Sequence, residues 1–198
     1  MKMMKMRNWW EEISITAEMR RIAHSWADGN QFRTDIKDRD TRYIGALGVL
    51  AFLEVCKKYG IKTIYDDTPE YDVLLLLSTG DLKIEVKAMS WYKIPEKNDV
   101  YLNARMRIQN CDYYVFVCID TDDPKLREKG KYSREKARVL GFLSKDDYSS
   151  KVRVSEQGTK ERYLVNGTDF KNYVIDFGQI NPIGQFRNLV DDKIVKWG

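Results

Sequence analysis

The chain has 198 residues, of which 43% are hydrophobic, so it can form one domain of ordinary size with a buried core. Its formal net charge is +4, from 34 basic and 30 acidic residues, and this surplus is too small to identify a nucleic-acid-binding protein. The single histidine, His24, excludes sites built on two or more imidazoles, such as HxxEH zinc sites and HNH nuclease sites.

The three cysteines, Cys56, Cys111 and Cys118, include no C-x-x-C pair, which excludes a disulfide framework and a cysteine-rich zinc site. They favour a reducing compartment. The basic first residues lack the apolar stretch of a signal peptide, and the apolar run at residues 44–56 is too short to span a bilayer. We therefore expect a cytoplasmic location, or the host cytoplasm for a viral protein, and no membrane partner.

Two helices are predicted in the first third of the chain. Residues 9–27 carry apolar positions at helical spacing, and the Asp-Gly-Asn sequence that follows supplies a stop. A second helix is predicted over residues 40–59, with Asp40 or Thr41 as its cap and Gly60 at its end. The middle of this second helix is apolar nearly all round, which predicts that it is buried against a sheet.

The strand predictions begin after Gly60. Residues 61–65 form a short strand candidate. The β-rich runs 71–77 and 81–88 are joined by a short connection that contains Gly80, which predicts a hairpin.

Residues 99–110 alternate like a strand, but Asp99 can also cap a helix, and we favour a helix in the later part of this segment. Residues 113–119 predict a buried strand. Further strands are predicted at 139–143 and 162–165, and short helices or turns at 144–147 and 168–170.

This order predicts a mixed α/β domain with an antiparallel hairpin in its sheet. We treat residues 1–198 as a single domain without a linker. Within it we distinguish an N-terminal helical extension at 1–39, a core at 40–119, and C-terminal strands and loops at 120–198.

The residues that carry chemistry are Asp72 on the first hairpin strand and Glu85 and Lys87 on the second. Glu85 and Lys87 are two positions apart, so both point to one face of a strand. If Thr79 and Gly80 form a two-residue turn, Asp72 lies opposite Lys87 and diagonal to Glu85, roughly 7–8 Å from it at Cα. The opposite face then carries a consistent apolar set: Val73, Leu75, Leu77, Leu82, Ile84 and Val86. A one-residue slip would bury Glu85 and Lys87 instead.

Two carboxylates in this arrangement suit Mg²⁺ or Mn²⁺, which take oxygen ligands and keep several waters. Such an ion can lower the pKa of a bound water and stabilise charge on a phosphoryl oxygen, while a neighbouring lysine orients the water. Metal-assisted hydrolysis of a phosphodiester needs no histidine. The shortage of histidine and the carboxylate pair therefore point to the same chemistry.

Asp72, twelve intervening residues and then Glu85-Val86-Lys87 on a hairpin behind a buried helix resemble the PD-(D/E)XK nuclease superfamily, which has a restriction-endonuclease-like fold. The resemblance covers residues 40–119. It implies an α/β core whose mixed β-sheet contains an antiparallel active-site hairpin and is flanked by helices. It also implies that Asp72 and Glu85 hold Mg²⁺ or Mn²⁺, that the Val86 carbonyl is a further ligand, and that Lys87 is the catalytic lysine.

The chain differs from the family pattern at two places. Tyr71 stands where a proline often precedes the aspartate, and Val49 stands where many members carry a glutamate on the preceding helix. Either Glu54 substitutes for that glutamate from a shifted register, or the site lacks it. The difference leaves a second function open, a catalytically inactive nucleic-acid-binding module on the same fold.

Basic residues flank the predicted site. Those that we expect to contact nucleic acid are Arg39, Arg42, Lys93, Arg105 and Arg107. Residues 124–138 hold seven basic and two acidic side chains and are predicted to form a mobile flap or a solvated loop. The expected substrate is DNA, with RNA as the alternative, and a homodimer is consistent with enzymes of this fold that cut both strands.

Overall fold

The computed structural model describes residues 9–29, 38–66, 68–91, 100–104, 109–120, 135–156 and 172–195. The helices are α1 (Ala17–Asp28), α2 (Arg39–Lys58), α3 (Lys145–Lys151) and α4 (Gly184–Val195). The strands are β1 (Glu11–Ser14), β2 (Lys62–Tyr65), β3 (Val73–Leu76), β4 (Leu82–Trp91), β5 (Val100–Ala104), β6 (Tyr113–Asp120), β7 (Lys136–Ser144), β8 (Arg153–Ser155), β9 (Asn172–Asp176) and β10 (Asn181–Pro182). A 3₁₀ turn, Phe177–Gln179, precedes β10.

The main sheet has seven strands in the order β1-β7-β6-β4-β3-β2, and β10 also pairs with β7. Strands β4 and β6 are parallel, and the other pairs are antiparallel. The protein therefore has the predicted α/β class, with a mixed sheet and an antiparallel hairpin within it.

Helix α2 forms the core on one face of this sheet. Gly48, at its middle, lies directly above Ala88 and Val86 of β4. Asp38, rather than the predicted Asp40 or Thr41, caps the helix and accepts a 2.7 Å hydrogen bond from the N–H of Thr41. Although α2 has 20 residues, no helix in the described parts of the chain is long and apolar enough to cross a membrane.

The prediction of one helix over residues 9–27 is wrong at its N-terminal end. Strand β1 comes first and pairs with β7, and α1 begins only after Thr16, whose side chain accepts a 3.1 Å hydrogen bond from the N–H of Met19. Residues Glu11–Ser14 alternate between half-buried and exposed positions as a strand paired with β7, and the helix begins only where the Thr16 side chain caps its first turn. The rest of the prediction holds for α1.

A second apolar cluster covers the other face of the sheet, beneath a three-stranded sheet in the order β5-β9-β8. Residues 100–104 form β5, so the start of the ambiguous segment 99–110 is a strand, and residues 105–108 lie outside the described residues. Ser144 caps α3 as expected for that position. The predictions at residues 162–165 and 168–170 lie outside the described residues.

The contact between α2 and β4 leaves no room for a side chain at position 48. We expect Gly48→Ala to destabilise the protein by about 1–3 kcal/mol, because the new methyl group would overlap the side chain of Ala88. Urea unfolding followed by circular dichroism measures this effect. Gly184→Ala is the matched control, since nothing lies within 4 Å of a Cβ at that position. Equal stability of the two variants would contradict this packing.

Candidate active site

The hairpin β3–β4 holds the predicted site residues, but its register differs from the prediction by two residues. Val73 pairs with Ile84 and Leu75 with Leu82, whereas a two-residue turn at Thr79-Gly80 would have paired Val73 with Val86. The turn is longer than predicted and spans residues 77–80, with a 3.2 Å hydrogen bond from the N–H of Gly80 to the carbonyl of Leu77 and a φ of 118° at Gly80. An even shift leaves each strand residue on its predicted face.

Asp72 lies where the regular hairpin ends. Its N–H donates to the carbonyl of Ile84, the same residue that Val73 pairs with, so two residues of one strand oppose one of the other, as in a β-bulge. Its carboxylate turns towards β4, where Oδ2 accepts a 2.8 Å hydrogen bond from the N–H of Val86. Asp72 therefore does not face Lys87 as predicted. It binds the main chain between Glu85 and Lys87.

Glu85 and Lys87 form an ion pair on the face of β4 opposite to α2. The Nζ of Lys87 lies 2.5 Å from Oε1 of Glu85, and the two side chains are 11% and 0% exposed. A buried carboxylate is costly unless a charge or hydrogen bonds compensate it. Lys87 supplies that charge, and the pairing brings together two of the three predicted catalytic residues.

Gln109 and Tyr114 are site residues that sequence reasoning missed. The Nζ of Lys87 also donates to Oε1 of Gln109 at 2.7 Å, and the N–H of Gln109 donates to the hydroxyl of Tyr114 at 2.9 Å. Tyr114 pairs in register with Glu85 across the parallel strands β4 and β6. Tyr114 is the second of two tyrosines that open β6, and its hydroxyl group is the signal that could have indicated this contact.

The uncharged groups of the site stay uncharged at neutral pH. Burial raises the pKa of Tyr114 far above its usual range. Burial also raises the pKa of the Cys111 thiol to about 11, although its hydrogen bond with Tyr114 and the nearby Lys87 act in the opposite direction. The other ionisable groups of the site are Asp72, Glu85 and Lys87.

The donor set fits a hard divalent ion with few protein ligands. Asp72 and Glu85 are both fully buried carboxylates at adjacent places on the hairpin. The N–H of Val86 points towards Asp72, and because both groups of one residue face the same edge of a strand, so does its carbonyl. No group of three or more His, Cys, Asp or Glu side chains is present among the described residues. Mg²⁺ often binds through one or two carboxylates and waters, so two suffice.

The helix α2 adds no carboxylate to this site. Val49 is buried in the core, and Glu54 lies half-exposed with its Oε1 3.7 Å from the Nζ of Lys57. The helix packs on the face of β4 that carries Val86, whereas Glu85 points to the other face. Glu54 therefore does not take the place of the glutamate missing at Val49.

The predicted nucleic-acid contacts are only partly within the described residues. Arg39 makes two hydrogen bonds, of 2.5 and 3.0 Å, with the carboxylate of Asp28, and Arg42 lies half-buried in the first turn of α2. Both belong to the helix on the other side of the sheet from Glu85. Lys93, Arg105 and Arg107 lie outside the described residues.

The flap predicted at residues 124–138 is wrong at its C-terminal end. Lys136 and Arg138 belong to β7, where they pair with Glu12 of β1, and Arg138 also contacts Asp120. These two basic residues are thus compensated within the sheet by the carboxylates of Glu12 and Asp120. Residues 124–134 lie outside the described residues.

No protein-family model matches this chain, and no curated protein is significantly similar to it. The function must therefore be argued from the arrangement of Asp72, Glu85 and Lys87 itself.

The hydrogen bond from Val86 to Asp72 has a structural consequence that can be measured. We expect Asp72→Ala to lower the free energy of unfolding by about 1–3 kcal/mol, because it leaves a buried N–H without its acceptor. Asp72→Asn keeps an acceptor oxygen and should cost less. Asp81→Ala, at an exposed position after the turn, is the control in the same urea titration. Identical stabilities of all three variants would contradict the role of this hydrogen bond.

Proposed function

We propose that the protein is a metal-dependent nuclease that hydrolyses phosphodiester bonds, with DNA as its substrate and a restriction-endonuclease-like core. One observation carries the proposal. Three ionisable side chains that a PD-(D/E)XK site requires meet on one hairpin, where Asp72 binds the Val86 N–H between an ion-paired Glu85 and Lys87. These charges are almost fully buried, and buried charges of this kind are frequent at catalytic sites.

The order of elements supports the same proposal. A buried helix, a short strand and a hairpin follow each other as α2, β2, β3 and β4, and after β5, which stands where the PD-(D/E)XK order has a helix, the chain enters β6 parallel to β4. The parallel pair β4–β6 places Tyr114 beside Glu85, so the strand after the hairpin also contributes to the site. This order is similar to that of the PD-(D/E)XK core.

In this proposal Asp72 and Glu85 hold Mg²⁺ or Mn²⁺, and the carbonyl of Val86 is a further ligand. When bound, the ion supplies a water of lowered pKa and stabilises the charge that develops on the phosphoryl oxygens. Lys87 donates from its Nζ to the attacking water or to a non-bridging phosphate oxygen. Both tasks require an ammonium group that points into the site.

Gln109 keeps Lys87 in that position. Its amide oxygen accepts from Nζ without neutralising the ammonium charge, so Lys87 remains anchored if Glu85 turns its oxygens to the ion. Tyr114 in turn fixes the main chain of Gln109. Lys87 is thus held by a neutral contact with Gln109 as well as by its ion pair with Glu85.

A second function, an inactive nucleic-acid-binding module, has its own support. One oxygen of Asp72 is already bonded to Val86 N–H and one of Glu85 to Lys87, and α2 contributes Val49 instead of an acid. In such a module the same residues would only stabilise the hairpin. The two functions differ in whether a divalent ion binds.

Cleavage of plasmid, single-stranded and branched DNA with Mg²⁺ or Mn²⁺ tests the enzyme. We expect Lys87→Ala to reduce the cleavage rate by about 100-fold or more, because it removes a charge that acts on the transition state. Lys83→Ala is the matched control, since Lys83 lies on the same strand at the more exposed end and pairs with Glu70. Equal rates for wild type, Lys87→Ala and Asp72→Asn would contradict the proposed catalytic role.

Calorimetric titration with Mn²⁺ separates the two functions directly. The enzyme should bind Mn²⁺, and Glu85→Gln should weaken the affinity by about tenfold or more, because a neutral amide replaces a buried anionic ligand. Circular dichroism verifies that each variant is folded. DNA binding that falls with salt, together with no Mn²⁺ binding by the wild type, would favour the inactive module.

A further inference from the structure

Strand β2 lies at one edge of the main sheet. Within the described residues it pairs with β3 only, and the ladder continues beyond the strand, where the N–H of Asp66 donates to the carbonyl of Asp72 at 3.0 Å. In an antiparallel ladder, alternate residues direct both main-chain groups to the same neighbouring strand. Lys62, Ile64 and Asp66 therefore bond towards β3, and the main chain of Thr63 faces the open edge.

The side chains along this edge form a symmetric pattern. Lys62, Ile64 and Asp66 point to one face of the sheet, because they are two positions apart. Ile64 is 48% exposed, and Lys62 and Asp66 are exposed on either side of it. A basic, an apolar and an acidic side chain thus follow each other at equal spacing. Two antiparallel copies of such a pattern are complementary to each other.

Both charged side chains can take a partner from another molecule. In the parts of the chain that the structure describes, the ammonium group of Lys62 makes no ion pair or hydrogen bond. The hydroxyl of Tyr71 donates to Oδ2 of Asp66 at 2.9 Å, which leaves Oδ1 for a second donor. An exposed ion pair stabilises an interface only slightly, but a like-charge pair in its place disfavours the wrong alignment.

These charges select one register for a second copy of β2. Because Thr63 presents its main chain to the edge, a second copy can pair there only in registers that differ by two residues. If Ile64 lies opposite its counterpart, each Lys62 lies opposite Asp66 of the second copy. A shift by two residues places either the lysine or the aspartate against the isoleucine instead. The register centred on Ile64 is therefore the favoured one.

A lysine on an edge strand ordinarily prevents pairing with another sheet. Here Asp66 stands at the matching position of the second copy, so Lys62 gains a partner and no charge is left opposite an apolar residue. The exposed Leu76 of β3 extends the apolar surface beside Ile64, since it lies on the same face of the sheet. The edge thus favours its own copy over a strand without this charge pattern.

We propose that β2 is the interface of a homodimer, in which two copies pair antiparallel about a two-fold axis at Ile64. The main sheets of the two chains then form one continuous sheet. Main-chain bonds at Thr63 join the strands, the two isoleucines are in contact at the centre, and the pairs of Lys62 with Asp66 fix the register. This interface goes beyond the proposed nuclease function and does not depend on it.

Sedimentation equilibrium of the metal-free protein tests the assembly. The paired edge is short, so we expect a reversible dimer with a dissociation constant of about 10–100 μM. Its average mass should rise with concentration from 23.3 kDa towards twice that value. Lys62→Glu and Asp66→Lys should each weaken dimerisation by about tenfold or more, because each places like charges opposite one another. The double variant Lys62→Glu/Asp66→Lys should dimerise like the wild type.

A disulfide across the two-fold axis tests the register. Facing residues of a non-hydrogen-bonded pair lie about 4.5 Å apart at Cα, so Ile64→Cys should cross-link two chains on mild oxidation. Lys62→Cys should not, because the two copies of that position would lie about 13 Å apart. The native cysteines, Cys56, Cys111 and Cys118, are buried and do not compete.

Arg187→Glu is the matched control for charge reversal, because Arg187 lies on α4, which packs against β7 and β10 in the other half of the main sheet. Lys87→Ala should also dimerise like the wild type, which separates a failure of the nuclease proposal from a failure here. Circular dichroism verifies that each variant is folded.

A monomer at every concentration would leave this edge to a different partner and would overturn the inference. Dimerisation of Lys62→Glu and Asp66→Lys at the wild-type level would also contradict it, as would a double variant that stays as weak as the single ones. Cross-linking through position 62 in preference to position 64 would exclude the register.

Discussion

The ion pair between Glu85 and Lys87 constrains everything around it, because it places a fully buried carboxylate in the middle of a sheet. A buried charge is stable only when an opposite charge contacts it and when that opposite charge has further polar partners of its own. The chain meets the first requirement two residues along the same strand. It meets the second with Gln109, which is itself held by Tyr114 on the neighbouring strand. The ion pair lies on the face of the sheet that carries the smaller apolar cluster, and the sheet separates it from the larger core beneath α2.

The sequence predicts the larger core but not the hairpin register, and both results have the same physical cause. The buried α2 and the alternation of Val73, Leu75, Ile84 and Val86 follow from the spacing of apolar residues, which fixes the faces of helices and strands. That spacing is unchanged when a strand slides by two residues, so it cannot distinguish a two-residue turn from the observed four-residue turn. The faces of Glu85 and Lys87 were therefore correct while the partner of Asp72 was wrong.

Other features depend on contacts that no local pattern contains. Gln109 reaches Lys87 only because β4 and β6 run parallel side by side, a pairing between segments that are not adjacent in the chain. The sequence predicts a helix at β1 because the strand's partner, β7, lies more than 120 residues away. Glu12 of β1 pairs with Lys136 and Arg138 of β7. The charges of these two basic residues are therefore balanced within the fold and do not add to the positive surface charge that the sequence predicts.

The distances along the chain between bonded residues also set an order in which the protein can assemble. The hydrogen bonds from Val86 to Asp72 and from Lys87 to Gln109 close loops of 14 and 22 residues, whereas the contact between Lys136 and Glu12 closes one of 124. Loop-closure entropy makes the longest of these about 1.5 kcal/mol harder to close than the loop of 22. The hairpin β3–β4 and the contact of Lys87 with Gln109 can therefore form while the N-terminal strand is still unattached. Strand β1 lies at the edge of the main sheet, and its loss would leave the candidate site on β3 and β4 intact.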